Sequence, residues 1–432
     1  MLEFPKAKTK EEKLLLIYGF VGTMPIVQLM GFTGFTWLTL IVIGCFLLKN
    51  HIKITFNKEA TPYIIFTVLT FFSSFICLSS GMDQMWKSKQ IPNMIWQICY
   101  LTLFLAYFNK TGSLKCMYYI KGVYYAAFAH AIWGILQVLV YEIAHVSINK
   151  LLFFDLLHVQ AAEYVQIRGN SVAMTGFCWN AGNFAPLLVI GYVLSPALFA
   201  KAFFAAISVV SGSRTALTGI VACVFLDVFI GLFNRNKKKK IRPIYIIGIA
   251  AVLLAAFVVL ITNTKIVQTL ALRIQEMQNA FSLDFLKTQS SSRLHTRYWI
   301  SIPRITHWNS LINNLFGYGN GSSGYPFAKL YNQYADHAWT VECDFINNLW
   351  SFGYIGFAFW YCWYGYQIYK AHRLNKKFLV LFFGLLVEGI TYNVTFNWCL
   401  MFLLFVFIEI SYSNDFMSEK HVYRRIRQNA VI

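Results

Sequence analysis

Residues 291–299 read SSRLHTRYW, residues 313–324 read NNLFGYGNGSSG and residues 336–348 read DHAWTVECDFINN. They mark a polar interlude, about Asn263 to Ile346, inside an otherwise apolar chain. The interlude gathers Arg293, Arg297, Arg304, His295, His307, His337, Glu342 and Asp344. A connection longer than about 15 residues without structure of its own is usually functional or disordered. This one is rich in Trp, Tyr and Leu, which disordered segments lack. It reads as the working face of the protein, and what it interrupts decides the fold.

On either side lie long apolar runs. Of 432 residues, 57% are hydrophobic and 13% charged, whereas soluble domains carry about 25% charged residues. The deficit points to a polytopic membrane protein. A spanning helix takes about 20 apolar residues, and by that measure the chain holds about twelve. They are expected near 14–31, 34–49, 62–80, 94–108, 116–141, 174–194, 197–211, 214–233, 244–262, 347–370, 378–392 and 396–413. The period-2 alternation of a membrane barrel is absent. The expected class is therefore all-α, a polytopic membrane helix bundle with a large helical extracytoplasmic loop before helix ten.

Four regions follow from this reading. Helices one to nine occupy 1–262, with an amphipathic outer loop at 142–173 that contains LLFFDLLHVQAAEYVQIRGN. The large loop takes 263–346, helices ten to twelve take 347–413, and a basic tail fills 414–432. With the N-terminus inside, the dense Lys and Arg clusters fall on one side, from Lys6, Lys8, Lys10 and Lys13 to the tail HVYRRIR. That is the positive-inside bias, and it gives the net charge of +19 a topological meaning rather than a nucleic-acid one. The expected location is the cytoplasmic (inner) membrane, multi-pass, with the working face toward the periplasm or cell exterior. The first run follows FPKAKTKEEK without a small-residue cleavage site, so it reads as a retained helix. None of the nine cysteines stands in a CxxC pattern, and no metal-ligand spacing occurs. No cofactor or metal is expected.

Arginines on the outer side run against the topological bias. Arg168 precedes a helix mouth, Arg214 sits in SGSRTALTG at an outer turn, and Arg293 and Arg297 follow QSSS in the long loop. A guanidinium presents a planar fork matched to phosphate or carboxylate, so these four are candidate ligands for a lipid-linked diphosphate. Near helix ten, DHAWTVECD offers His337, Glu342 and Asp344 as proton acceptors for an attacking hydroxyl. Glu342 and Asp344 are two apart, so on a helix they diverge by about 200 degrees and at most one faces the site. GYGNGSSG lacks the GK[ST] ending of a phosphate loop and reads as a flexible turn. Intramembrane Asp227, Glu388 and Glu409 are functional candidates because burying them is costly. Glu388 is placed toward the outer end of its helix.

Three stretches together carry a resemblance. They are IRGNSVAMTGFCWNAGNFAPL, SGSRTALTG, and the loop from Arg293 and Arg297 through LFGYGNGSSG to ECDFINNLWSFGYIGF. Over about residues 165–360 the chain resembles the O-antigen ligase and polysaccharide polymerase superfamily. The resemblance implies an inverting, metal-independent glycosyltransferase acting on undecaprenyl-diphosphate-linked oligosaccharides, both donor and acceptor, at the bilayer surface. A chain-length regulator protein is a further implied partner, and nucleic acid is not. Ligases of the family carry a histidine eleven residues before the first glycine of a GxxG ending. Here Gly353 and Gly356 supply the ending, and the eleventh residue back is Glu342, followed by Cys343. That departure favours a repeat-unit polymerase over a ligase and leaves the base open among Glu342, His337 and Asp344. A flippase or transporter is the alternative from another class.

Overall fold

The apolar runs form helices. The computed structural model describes residues 6–29, 32–44, 61–107, 116–159, 166–168, 171–233, 292–331, 341–394 and 408. Among these residues the chain is nearly all helical, with fourteen α-helices. Extended backbone is confined to two antiparallel hairpins of two-residue strands, β1 (Gln28–Leu29) with β2 (Phe32–Thr33), and β3 (Ile167–Arg168) with β4 (Ser171–Val172).

Helix ends are set by local chemistry. α1 (Lys10–Val21) starts earlier than the apolar run, because Thr9 and Glu12 form a capping box. The Thr9 side chain accepts the Glu12 amide at 3.2 Å, and the Glu12 carboxylate accepts the Thr9 amide at 2.9 Å. α1 also stops at Val21 rather than 31, since residues 28–29 are taken up by the hairpin. α2 (Gly34–Val42), α3 (Thr61–Ser79), α4 (Gln84–Lys87), α5 (Gln90–Tyr107) and α6 (Cys116–Ala144) follow, then a short π-helical stretch at Lys150–Leu156. The helix expected at 174 begins at Ala181 as α7 (Ala181–Leu194), because Asn180 caps it by accepting the Asn183 amide at 2.8 Å. Ser195–Ala197 separates α7 from α8 (Leu198–Val210), and α9 spans Arg214–Phe233.

Within the polar interlude stand α10 (Ser292–Trp308), α11 (Leu311–Phe316) and α12 (Tyr325–Tyr331). The chain then enters α13 (Asp344–Leu374) and α14 (Lys376–Thr391). The runs expected at 244–262 and 396–413 lie outside the described residues, apart from Ile408.

α13 is broken at Gly353, whose φ is 68°. The break is filled by the glycine turn that follows α11. Tyr318 donates its amide to the Trp350 carbonyl at 2.8 Å, and Gly319 donates to the Ser351 carbonyl at 2.9 Å. The Ser73 hydroxyl from α3 donates to the same Ser351 carbonyl. A Cβ at Gly317 would stand 2.5 Å from the Phe352 nitrogen, and one at Gly353 would strike the Leu315 backbone. The turn read from sequence as flexible is therefore a packed piece: Tyr318, Ser322 and Ser323 are buried.

α1 packs along α6, and α14 packs against α7, α9 and α13. α3 and α6 are each long and apolar enough to cross a membrane.

Candidate functional site

The Thr391 end of α14 collects the candidate residues. Thr391 donates its hydroxyl to Thr215 at 3.2 Å, and Thr215 is the neighbour of Arg214 in the first turn of α9. The Tyr392 hydroxyl lies 3.1 Å from the side-chain oxygens of both Asn180 and Asn183, at the start of α7. The Cys343 thiol points to the Gly389 carbonyl at 3.6 Å, which brings in the start of α13. Three helix starts thus meet one helix end. A helix start offers unpaired amides and a positive dipole end, both favourable to anions.

Arg214 is exposed and begins α9 directly after a turn built by Ser211, Gly212 and Ser213. Ser213 caps the helix by accepting the Ala216 amide at 3.3 Å. The Ser211 carbonyl accepts the Met174 amide at 3.0 Å, tying this turn to the segment after the β3–β4 hairpin. Arg168 stands on that hairpin, paired with Ser171. Gln166, just before it, accepts the Ala181 amide through its side chain at 2.9 Å. The segment between the hairpin and α7 rests on a buried polar network made by Gln137 of α6 and Asn149. Gln137 accepts the amides of Thr175 and Gly176, each at 3.0 Å, and Asn149 donates to the Gly176 carbonyl at 3.2 Å.

The interlude reaches the same region through aromatic contacts. Arg293 and Arg297 lie on α10, which packs its Trp299 against Phe345 at a ring separation of 6.2 Å. Phe345 stacks in turn on Tyr361 at 4.7 Å and is the neighbour of Asp344. Farther along, Ile305 of α10 shares a core with Val341, Ile346 and Trp350. His337 lies outside the described residues. Arg304 and His307 are exposed on α10.

Glu342 is exposed, whereas Asp344, in the first turn of α13, is 3% exposed. Between them, burial pushes the Cys343 thiol up to about 12, and the charge of Asp344 adds to the effect. Glu388 is fully buried, and neither of its carboxyl oxygens has a hydrogen-bond partner among the described residues. Asp227, at the opposite end of α9, pairs with Lys201; Glu409 lies outside the described residues. Among the described residues no three His, Cys, Asp or Glu side chains cluster as metal ligands do.

The arrangement joins an exposed guanidinium, three helix starts and buried carboxyls at one end of an apolar bundle, parts suited to holding an anionic leaving group beside a proton acceptor. Sequence reasoning did not single out Thr215, Tyr392, Asn180 or Asn183. The signal for the last two was present as an Asn-x-x-Asn pair opening an apolar run. No protein-family model matches the chain, and no curated protein is significantly similar to it.

Proposed function

We propose that the chain is a repeat-unit polysaccharide polymerase of the cytoplasmic membrane, an inverting glycosyltransferase that uses polyprenyl-diphosphate-linked glycan as donor and a lipid-linked repeat unit as acceptor. The observation that carries this reading is that the last turn of α14 touches Thr215 and Cys343, the neighbours of Arg214 and Asp344, while the turn before Arg214 is tied through Met174 to the segment after the Arg168 hairpin. Arg214, with Arg168 and with Arg293 or Arg297, neutralises the departing diphosphate. A buried acidic group receives the proton of the attacking hydroxyl.

A bilayer setting is supported by two helices long and apolar enough to cross a membrane and by apolar surface turned away from the core. On α9, Val221, Phe225 and Val228 are 58%, 66% and 56% exposed, while Ala216, Ile220 and Cys223 are buried. An outward apolar stripe of this kind suits lipid rather than water. The broken α13 favours a transporter at first sight, because discontinuous helices line transport sites. Its freed carbonyls at Trp350 and Ser351 accept hydrogen bonds from Tyr318, Gly319 and Ser73, which favours a structural role for the break.

The test is a strain lacking this chain, with surface and lipid-linked glycans separated by size. Collapse to a single repeat unit, restored by wild type and not by Arg214→Ala, supports the polymerase. Full-length chains held on the lipid carrier would instead assign a ligase. Repeat units trapped on the inner leaflet would assign a flippase.

A further inference from the structure

α10 and α11 meet in an elbow that turns large apolar side chains outward. Leu311 and Ile312 are 72% and 57% exposed, and Trp308 is exposed beside them. The elbow is pinned from below. Asn314 donates its side-chain amide to the Thr306 carbonyl at 2.8 Å, and the Thr306 hydroxyl meets the Tyr354 hydroxyl of α13 at 2.7 Å. The Tyr318 hydroxyl donates to the Asn309 side chain, and Ile305 is buried one turn earlier. A fixed support that keeps apolar groups outward marks a surface made to be covered.

Two observations say what covers it. The first is continuity with a membrane-length helix. Phe316, the last residue of α11, packs edge-on against Phe72 of α3 with ring centres 4.6 Å apart. Phe72 belongs to an exposed stripe of α3 at helical spacing, Ile65, Val68, Phe72 and Phe75, while Phe66, Ser73 and Cys77 are buried. The 19 residues of α3 span about 28 Å, close to the hydrocarbon thickness of about 30 Å. Phe72 stands about 10 Å before the Ser79 end, so Phe316 is level with acyl chains when α3 crosses a bilayer. The second is charge. Residues 292–331 hold four Arg or Lys and no Asp or Glu. Arg304 and Lys329 are exposed, and Lys329 Nζ lies 4.6 Å from the centre of the Trp308 ring. Tryptophan flanked by cations is the composition of a membrane interface with anionic headgroups.

We infer that the α10–α11 elbow is an outer-leaflet anchor: Leu311 and Ile312 enter the upper acyl chains, while Trp308, Arg304 and Lys329 take the headgroups of anionic phospholipids. Arg293 and Arg297 are positions on the same α10, so the anchor fixes their height over the bilayer. The inference rests on the bilayer setting and is independent of the reaction catalysed.

The test uses the full chain in vesicles of equal phosphatidylcholine and phosphatidylglycerol. The photoreactive residue benzoylphenylalanine replaces Leu311, Ile312 or Val68 in turn; all three are exposed, so no packing is lost. Lipid adducts are read by mass. Positions 311 and 312 are expected to give them at a yield within about threefold of position 68 on α3. Phosphatidylglycerol adducts at 311 are expected to exceed phosphatidylcholine adducts at least about twofold, and to fall to parity when Arg304→Gln and Lys329→Gln are combined. Lipid adducts at 68 with none at 311 and 312 overturn the anchor, as do crosslinks from 311 to another segment or another copy of the chain. Equal adducts from both lipids in the chain that keeps Arg304 and Lys329 overturn the role of the cations. If position 68 also gives no lipid adduct, the bilayer setting itself fails and the anchor falls with it.

Discussion

A Cβ on Gly219 would stand 2.5 Å from Cγ of Glu388, so α9 can approach α14 here only with glycine at this position. Gly219→Ala is expected to lower thermal stability in detergent by about 1–3 kcal/mol, the cost of overpacking a filled site. Combining it with Glu388→Ala should return part of that loss, because the two residues share one space. Equal losses in the single and double variants would mean that the contact is not the cause.

Arg214 offers a sharper distinction between charge and shape. Arg214→Ala is expected to reduce polymer formation by at least about 100-fold, the usual loss when one transition-state donor is removed. Arg214→Lys keeps the charge but loses the fork, and polymer length on a gel should still fall severely. Near-normal polymer from the lysine variant would remove Arg214 from diphosphate binding.

The Tyr392 hydroxyl bridges two asparagines whose sequence positions lie 212 and 209 residues away. Tyr392→Phe should cost about 1 kcal/mol, a typical net hydrogen bond. Asn180→Ala should cost about 1–2 kcal/mol, since it also removes the cap of α7. Denaturation followed by intrinsic fluorescence checks both, and an Asn180 effect no larger than that of Tyr392 would argue against the cap.

Gly317 and Gly353 hold left-handed backbone, with φ of 78° and 68°, and pack against each other's segments. Alanine at either site meets both a conformational penalty and backbone atoms. Each variant is expected to lose more than about 2 kcal/mol, seen as sharply reduced monodisperse yield on size-exclusion chromatography. Wild-type yield in Gly353→Ala would mean that the α13 break tolerates a side chain.

Cys343 supplies a pH test. Its thiol is pushed up to about 12 by burial and by Asp344. The thiolate is the reactive form, so in the folded protein it accumulates only as pH approaches that value. At pH 8 its fraction is on the order of one in ten thousand. In a variant whose other cysteines are removed, maleimide labelling should be negligible at pH 8 and complete after unfolding in detergent. Rapid labelling of the folded chain would place Cys343 at an open surface.

Several features were legible because their causes are local. Ser195–Ala197 announces a break between two apolar runs, whereas the equally local capping box of Thr9 and Glu12 was passed over and the first helix was expected to start at 14. The start of α7 was misread because Met174 to Trp179 is as apolar as a helix. A cap at Asn180 and the hydrogen bonds of Gln137 outweigh that composition. The glycine turn was misread for a related reason: glycine spacing signals backbone freedom, but not what the backbone will meet.

Composition and apolar run length act over a few helical turns, and by themselves they determined that the described residues are nearly all helical and roughly where most of the long apolar helices lie. Which carboxyl is hidden was not decided at that scale. Glu342 and Asp344 are both acidic and two residues apart, and only the seating of α13 on α14 exposes one and buries the other. The meetings of Glu388 with Gly219, of Thr391 with Thr215, and of Tyr392 with Asn180 likewise join segments more than 160 residues apart. Such contacts depend on how helices cross, a property of packed surfaces that no local pattern encodes.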